Sequence, residues 1–206
     1  MRHLIILCLL GFAAFALPAK AQDSTALLAA ARGQIGVTTI YDPAYVSLPF
    51  PGGDVDASRG VCTDVIIRAF RAGWGVDLQL AVNRDMKANF SAYPATWGLK
   101  TTDRNIDHRR VGNLQTLLAR MGTDLPVSTD ASAYLPGDIV SWMLPGNLPH
   151  IGILSDSFGA EDAVPLVLHN IGAGAAEDDI LFAYDITGHY RMNADALARM
   201  RVLGTN

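Results

Sequence analysis

Hydrophobic residues recur at helical spacing in the first half of the chain, where apolar positions three and four apart share one face. The first predicted helix ends at Gly36, and the second ends at Gly73. A segment rich in proline and glycine over 42–60 separates these two helices and predicts irregular structure. The predicted helices cover 25–34, 61–72, 81–91 and 113–121.

The second half of the chain changes to short β-rich runs separated by turn residues such as Pro145-Gly146. These runs predict strands over 138–144, 150–155, 164–171 and 180–186. Helices followed by closely linked strands are typical of an α+β domain, with N-terminal helices packed on an antiparallel sheet.

Composition narrows the class of protein. The chain has 206 residues, of which 50% are hydrophobic and 17% charged, with a formal net charge of -4. This excludes intrinsic disorder for the whole chain. It also disfavours a nucleic-acid binder, because no basic patch is present to neutralise phosphates. We expect one domain over 22–206.

Residues 1–21 have the features of a secretory signal peptide. Arg2 and His3 precede the apolar run Leu4–Leu17, and Ala19-Lys20-Ala21 supplies small residues for cleavage after Ala21. An uncleaved membrane anchor is the alternative, but the run is shorter than the roughly 20 residues that a span needs. We expect a periplasmic or secreted protein with no transmembrane span after cleavage.

Export would leave Cys62 as the single cysteine of the mature chain, because the other cysteine, Cys8, is removed with the signal peptide. A lone thiol in an oxidising compartment is buried and inert, cross-links to another chain, or has a chemical role. Cys62 lies in the predicted first turn of the second helix, where unpaired amides and the helix dipole favour a thiolate.

A nucleophilic cysteine needs a base, usually histidine, and a third group that orients the imidazole. In the predicted strands, His150, Gly152 and Leu154 share one face, and His169 shares a face with Val167. If these strands pair, the two histidines become neighbours. We expect the helix to pack across that face, with Gly152 permitting a close approach and Cys62 lying over His150. A Cys62–His150 ion pair would follow.

Three segments of the C-terminal half resemble NlpC/P60-type papain-like cysteine peptidases: Pro136-Gly-Asp-Ile-Val-Ser-Trp142, His150-Ile-Gly-Ile-Leu154 and Val167-Leu-His169. More closely, the chain resembles the bacterial DUF1287 family of that superfamily, over 60–68, 105–110, 150–153, 169–172 and 188–191. The resemblance implies an NlpC/P60 core that uses no cofactor. It also implies a cell-wall (peptidoglycan) peptide or another acyl compound as substrate.

By position, the resemblance makes Cys62 the nucleophile, His150 the base and His169 the orienting residue. It places Tyr41 on the oxyanion side of the site. The chain departs from the NlpC/P60 pattern at the nucleophile, where Asp-Cys-Ser-Gly is replaced by Val61-Cys-Thr-Asp64. Asp64 is therefore a candidate for contact with substrate or for pairing with the helix dipole.

The polar stretch over 103–110 has two interpretations. His108, Arg109 and Arg110 could bind a substrate carboxylate, since arginine pairs with carboxylates through two parallel hydrogen bonds. Alternatively, the stretch is a solvated loop whose charges pair with each other.

Two other classes of function compete with the hydrolase. His150, His169 and His189 could hold Zn²⁺ with an open fourth position, although short-spaced ligand pairs are lacking and no metal is expected. A non-catalytic cell-wall-binding module on the same fold, with Cys62 inert, is the second alternative.

Overall fold

The computed structural model describes residues 23–160 and 163–205. Signal-peptide features therefore lie outside the described residues. The helices within the described ranges are Thr25–Arg32 (α1), Cys62–Trp74 (α2), Leu78–Ala88 (α3), Val111–Arg120 (α4) and Ala194–Gly204 (α5). The strands are Ile40–Tyr41 (β1), Arg59–Gly60 (β2), Asp124–Leu125 (β3), Ile139–Leu144 (β4), Leu148–Phe158 (β5), Pro165–Asn170 (β6), Ala175–Asp178 (β7) and Asp185–Tyr190 (β8). No helix of these ranges is long and apolar enough to cross a membrane.

Six strands form one antiparallel sheet in the order β3-β8-β4-β5-β6-β7. The short strands β1 and β2 pair in parallel outside it. The predicted α+β architecture with helices packed on an antiparallel sheet is therefore confirmed.

The two faces of the sheet are covered by different parts of the chain. The helices pack on the face that carries Ile139, Ile151, Ile153 and Leu168, and Cys62 belongs to the same apolar cluster. The opposite face carries Val140, Trp142, Leu154 and Val167, which pack under Tyr134 and Leu181 from loops. Both faces of the sheet carry apolar residues, because helices bury one face and loops bury the other.

The second helix runs past its predicted end. Gly73 lies inside α2, where a Cβ atom would approach the backbone of Leu27 to 2.7 Å, so this glycine permits the close approach of α1. The helix ends instead at Gly75, whose φ of 67° is the left-handed conformation that glycine adopts freely.

The predicted strand over 180–186 is wrong. Residues 181–183 form a turn, and the chain is extended on either side of it, in β7 and β8. The apolar residues responsible for the prediction cover the sheet instead. Leu181 is fully buried, and its carbonyl accepts a hydrogen bond of 2.9 Å from the Trp142 indole N–H.

Candidate active site

A cavity of about 480 Å³ opens at the start of α2. Its wall is formed by Tyr41, Pro43, Val61, Cys62, Pro94, Thr96, Trp97, Ile106, Arg109, Arg110, Val111, Gly112, Gln115, Met143, Asn147 and Pro149. The wall is mainly apolar, and it includes the free thiol of Cys62. A small, largely apolar cavity with a few polar groups is typical of a ligand site.

Cys62 is the first residue of α2, immediately after the N-cap residue Val61. Burial raises the pKa of its thiol to about 12, and the nearby Asp64 carboxylate adds to this increase. Hydrogen bonds from the backbone amides of Ile151 and Thr63 act in the opposite direction but are outweighed by burial. The thiol is therefore neutral in the resting protein, and the helix N-terminus does not make it a thiolate.

Asp64, in the first turn of α2, forms a buried ion pair with Arg109. Arg109 Nε and one terminal nitrogen each donate to an Asp64 oxygen at 2.9 Å, and both side chains are only 2% exposed. Asp64 also accepts from the Val61 backbone amide at 2.7 Å. Arg109 donates further to the carbonyls of Asp42 and Ala44. The expected role of Asp64 and the Arg109 guanidinium in binding substrate is not supported, because these groups satisfy each other within the protein.

His150, His169 and Asp178 form a hydrogen-bonded chain across β5, β6 and β7. His150 Nε2 lies 3.0 Å from His169 Nδ1, and His169 Nε2 lies 3.1 Å from Asp178 Oδ2. The predicted placement of the two histidines on one face is confirmed. A carboxylate oxygen accepts the hydrogen bond, so we infer that His169 carries its proton on Nε2 and accepts the His150 proton at Nδ1. This leaves His150 Nδ1 as an unprotonated acceptor.

The expected packing of the nucleophile helix over the histidines is wrong. His150 faces the loop-covered side of the sheet, opposite Trp142 in the ladder and 5.8 Å from its ring centroid. The helices cover the other side, where Cys62 packs with Ile151. In the described residues no hydrogen bond joins the thiol to His150, and burial lowers the pKa of His150 to about 3. The expected resting ion pair is therefore not supported.

Glycine is required at position 152 by a contact other than the expected one with α2. A Cβ atom there would lie 2.6 Å from Val167 Cγ1 and 3.2 Å from His169 Cβ, both on the neighbouring strand β6. The missing side chain makes room for Val167 and His169 and not for α2.

Of the remaining candidate residues, Tyr41 and Arg110 line the cavity and His108 is buried in the interior. Tyr41 lines the cavity, and burial raises its pKa, with a further increase from the Asp64 carboxylate. Arg110 lines the cavity with Trp97. His108 is 2% exposed, and burial lowers its pKa to about 3, so the expected contact between His108 and substrate is not supported.

Sequence reasoning misses two residues of the site. Asp178 falls in a predicted turn, because the following strand is predicted to begin at Ile180. The turn glycines Gly172 and Gly174 could have indicated a hairpin that brings Asp178 back beside His169. Trp97 follows no periodic pattern, so the sequence holds no signal for it.

The three-histidine site considered from the sequence is not assembled. His189 Nε2 lies 2.7 Å from Asp138 Oδ2 and its ring stacks on Tyr134, while His150 and His169 bond to each other. Among the described residues, no group of three potential metal ligands lies close enough together to hold an ion.

Comparison with known proteins gives a family but no activity. The model of a family described as "Domain of unknown function (DUF1287)" matches residues 28–192. The "Uncharacterized protein YijF" of Escherichia coli (strain K12) is 55% identical over 172 residues, which cover 84% of this chain and 83% of that protein. The family match includes the whole site, from Tyr41 to Asp178.

Proposed function

The chain belongs to the DUF1287 family, and we propose that it is an exported cysteine hydrolase that cuts peptide amide bonds of the cell wall. In this proposal the fold is a variant of the NlpC/P60 papain-like core, and the protein works in the periplasm or outside the cell. Cys62 is the nucleophile, His150 the base and His169 the positioning residue.

The observation that carries the proposal is a free thiol on the wall of a largely apolar cavity, packed against the strand that carries His150. The thiol lines the cavity at the start of a helix, and it receives a hydrogen bond from the amide of Ile151, the residue after His150. His169 and Asp178 then fix the tautomer of His150.

The chemistry starts from two neutral partners. As Cys62 Sγ attacks the carbonyl carbon, His150 Nδ1 accepts the thiol proton, and backbone amides at the start of α2 receive the oxyanion. The C–N bond then breaks, the proton passes to the leaving amine, and a thioester remains on Cys62. Water hydrolyses the thioester and returns the proton to sulfur.

The mechanism requires the Cys62 thiol and the His150 imidazole to meet during turnover, because in the resting protein they share no hydrogen bond and project from opposite sides of the sheet. Coupling proton transfer to attack also avoids forming a buried thiolate, which the raised pKa of Cys62 disfavours.

Wall peptides test the proposal directly. Purified mature protein is incubated with muropeptides, and the products are followed by mass spectrometry. We expect an amide-cleavage product that Cys62→Ala and His150→Ala abolish. His169→Ala retains partial turnover, because orientation is lost but nucleophile and base remain. Turnover that survives in Cys62→Ala would contradict the mechanism.

A non-catalytic cell-wall-binding module is the second candidate, and one observation favours it. Cys62 and His150 are both buried and neutral, and they project from opposite sides of the sheet. Under this alternative the protein binds purified sacculi equally well with Cys62→Ala, and no muropeptide changes mass.

A further inference from the structure

We propose that Arg110, lying on the ring of Trp97, is a subsite for a carboxylate of the ligand that occupies the Cys62 cavity. The subsite deepens the proposed function, on which the identification of that ligand as a peptide substrate rests. Its components are Arg110, Trp97 and Asp107.

Two contacts hold the Arg110 guanidinium in place. Its central carbon lies 4.0 Å from the centroid of the Trp97 ring. One terminal nitrogen donates to Asp107 Oδ1 at 3.0 Å, and the Asp107 side chain is only 2% exposed. Stacking on an aromatic ring and a hydrogen bond at one edge fix the plane of the guanidinium before any ligand arrives.

The remaining Arg110 donors are open. Apart from the bond to the Asp107 carboxylate, the Arg110 guanidinium donates no hydrogen bond within the described residues. Arg109 has the opposite arrangement, because Asp64 and two backbone carbonyls occupy its guanidinium. Both arginines line the cavity, but most donors of Arg109 are used within the protein, whereas most donors of Arg110 are free.

The charge of the cavity wall favours an anion. Arg109 and Arg110 are the charged residues among those that line it, and no carboxylate of the described residues belongs to the wall. The Asp64 carboxylate balances the Arg109 charge, and the Asp107 carboxylate lies at one edge of Arg110, so the attraction for an anion depends on the Arg110 donors that remain free. An apolar wall strengthens electrostatic attraction, and the planar fork of arginine matches the two oxygens of a carboxylate. In a peptide substrate, that group is a side-chain or terminal carboxylate near the scissile bond.

Alkylation of Cys62 by matched reagents tests the subsite without requiring hydrolysis. Iodoacetate, 3-bromopropionate and 4-bromobutyrate are each compared with the corresponding neutral amide, so that the spacer between thiol and carboxylate varies. Mass spectrometry of the Cys62 peptide gives the rate for each reagent. The quantity compared is the ratio of the acid rate to the amide rate.

The variants are Arg110→Gln, Arg110→Lys and a matched control, Arg104→Gln. Arg104 also lies over an aromatic ring, 5.9 Å from the Phe50 centroid, but it lines a different cavity. We expect Arg110→Gln to lower the acid-to-amide ratio about tenfold for at least one spacer length. Arg110→Lys lowers it less, because the charge remains, and Arg104→Gln leaves it unchanged.

An unchanged ratio in Arg110→Gln, or an equal fall in Arg104→Gln, overturns the subsite. So does a failure of every reagent to modify Cys62 in the folded protein. If Arg110→Gln does not fold, a second experiment on the wild-type protein takes its place, in which added ligands protect Cys62 from alkylation by iodoacetamide. Glutarate must then protect the thiol better than glutaramide, and equal protection overturns the subsite. A positive result without muropeptide turnover leaves the subsite standing and contradicts only the hydrolase.

Discussion

The buried pair of Asp64 and Arg109 allows a quantitative prediction about the stability of the protein around the start of α2. Asp64→Asn keeps the shape of the side chain and removes its charge. Arg109 then remains 2% exposed in its side chain with no charged partner, while its bonds to the carbonyls of Asp42 and Ala44 remain.

The expected loss follows from the burial of both partners. Removing one member of a buried ion pair costs about 3–5 kcal/mol, because it leaves an uncompensated charge away from water. The amide oxygen of the substituted side chain can still accept from the Val61 amide, so the helix cap survives in part. We therefore expect Asp64→Asn to lower the free energy of unfolding by about 3 kcal/mol, the lower end of that range.

Urea unfolding at pH 7, followed by circular dichroism, measures this loss. Arg59→Gln is the control, because it breaks the Arg59–Asp42 pair, whose side chains are 49% and 29% exposed. Such an exposed pair contributes about 0–1 kcal/mol. Asp64→Leu combined with Arg109→Met should recover most of the stability lost in Asp64→Asn, because neither charge is left alone. If Asp64→Asn costs no more than Arg59→Gln, the reasoning is refuted.

Three further outcomes are expected. Asp178→Asn should let the histidine pair exchange tautomers, which ¹⁵N NMR of the imidazoles detects; a single unchanged tautomer would refute the role of Asp178. Gly152→Ala should lower the free energy of unfolding by about 1–3 kcal/mol through the clash with Val167, and an unaltered urea midpoint would contradict this. Burial lowers the pKa of His108 and of His150 from 6.5 to about 3, so the unfolded chain binds protons that the native protein does not. Stability should therefore fall as the pH drops below 6.5, by about 2 kcal/mol per histidine at pH 5, and equal urea midpoints at pH 7.5 and pH 5 would contradict it.

The sequence allowed us to predict that the two histidines are neighbours, but not where the Cys62 thiol lies relative to them. Alternation along two strands correctly predicted that His150 and His169 are neighbours. It could not predict which face the helices cover, because both faces of this sheet are apolar. Ile151 and Ile153 pack under helices, while Trp142 and Val167 pack under loops.

The burial of Asp107, His108 and Arg109 within the polar stretch over 103–110 could not be predicted from the sequence either. A run of alternating charges is usually solvated, and nothing local identifies the partner of a charge that lies far along the chain. Arg109 and Asp64 are separated by 45 positions. Their pairing depends on the packing of the segment Asp107–Arg109 against α2, which is tertiary information.

The most direct test of the central claim is the capture of an acyl group on Cys62. Purified protein is mixed with muropeptides, quenched in acid within the first turnovers and mapped by mass spectrometry. A cysteine hydrolase gives a peptide containing Cys62 that carries the mass of the acyl half of the substrate and loses it in hydroxylamine. Product release with no adduct on Cys62, continuing in Cys62→Ala, would contradict the claim.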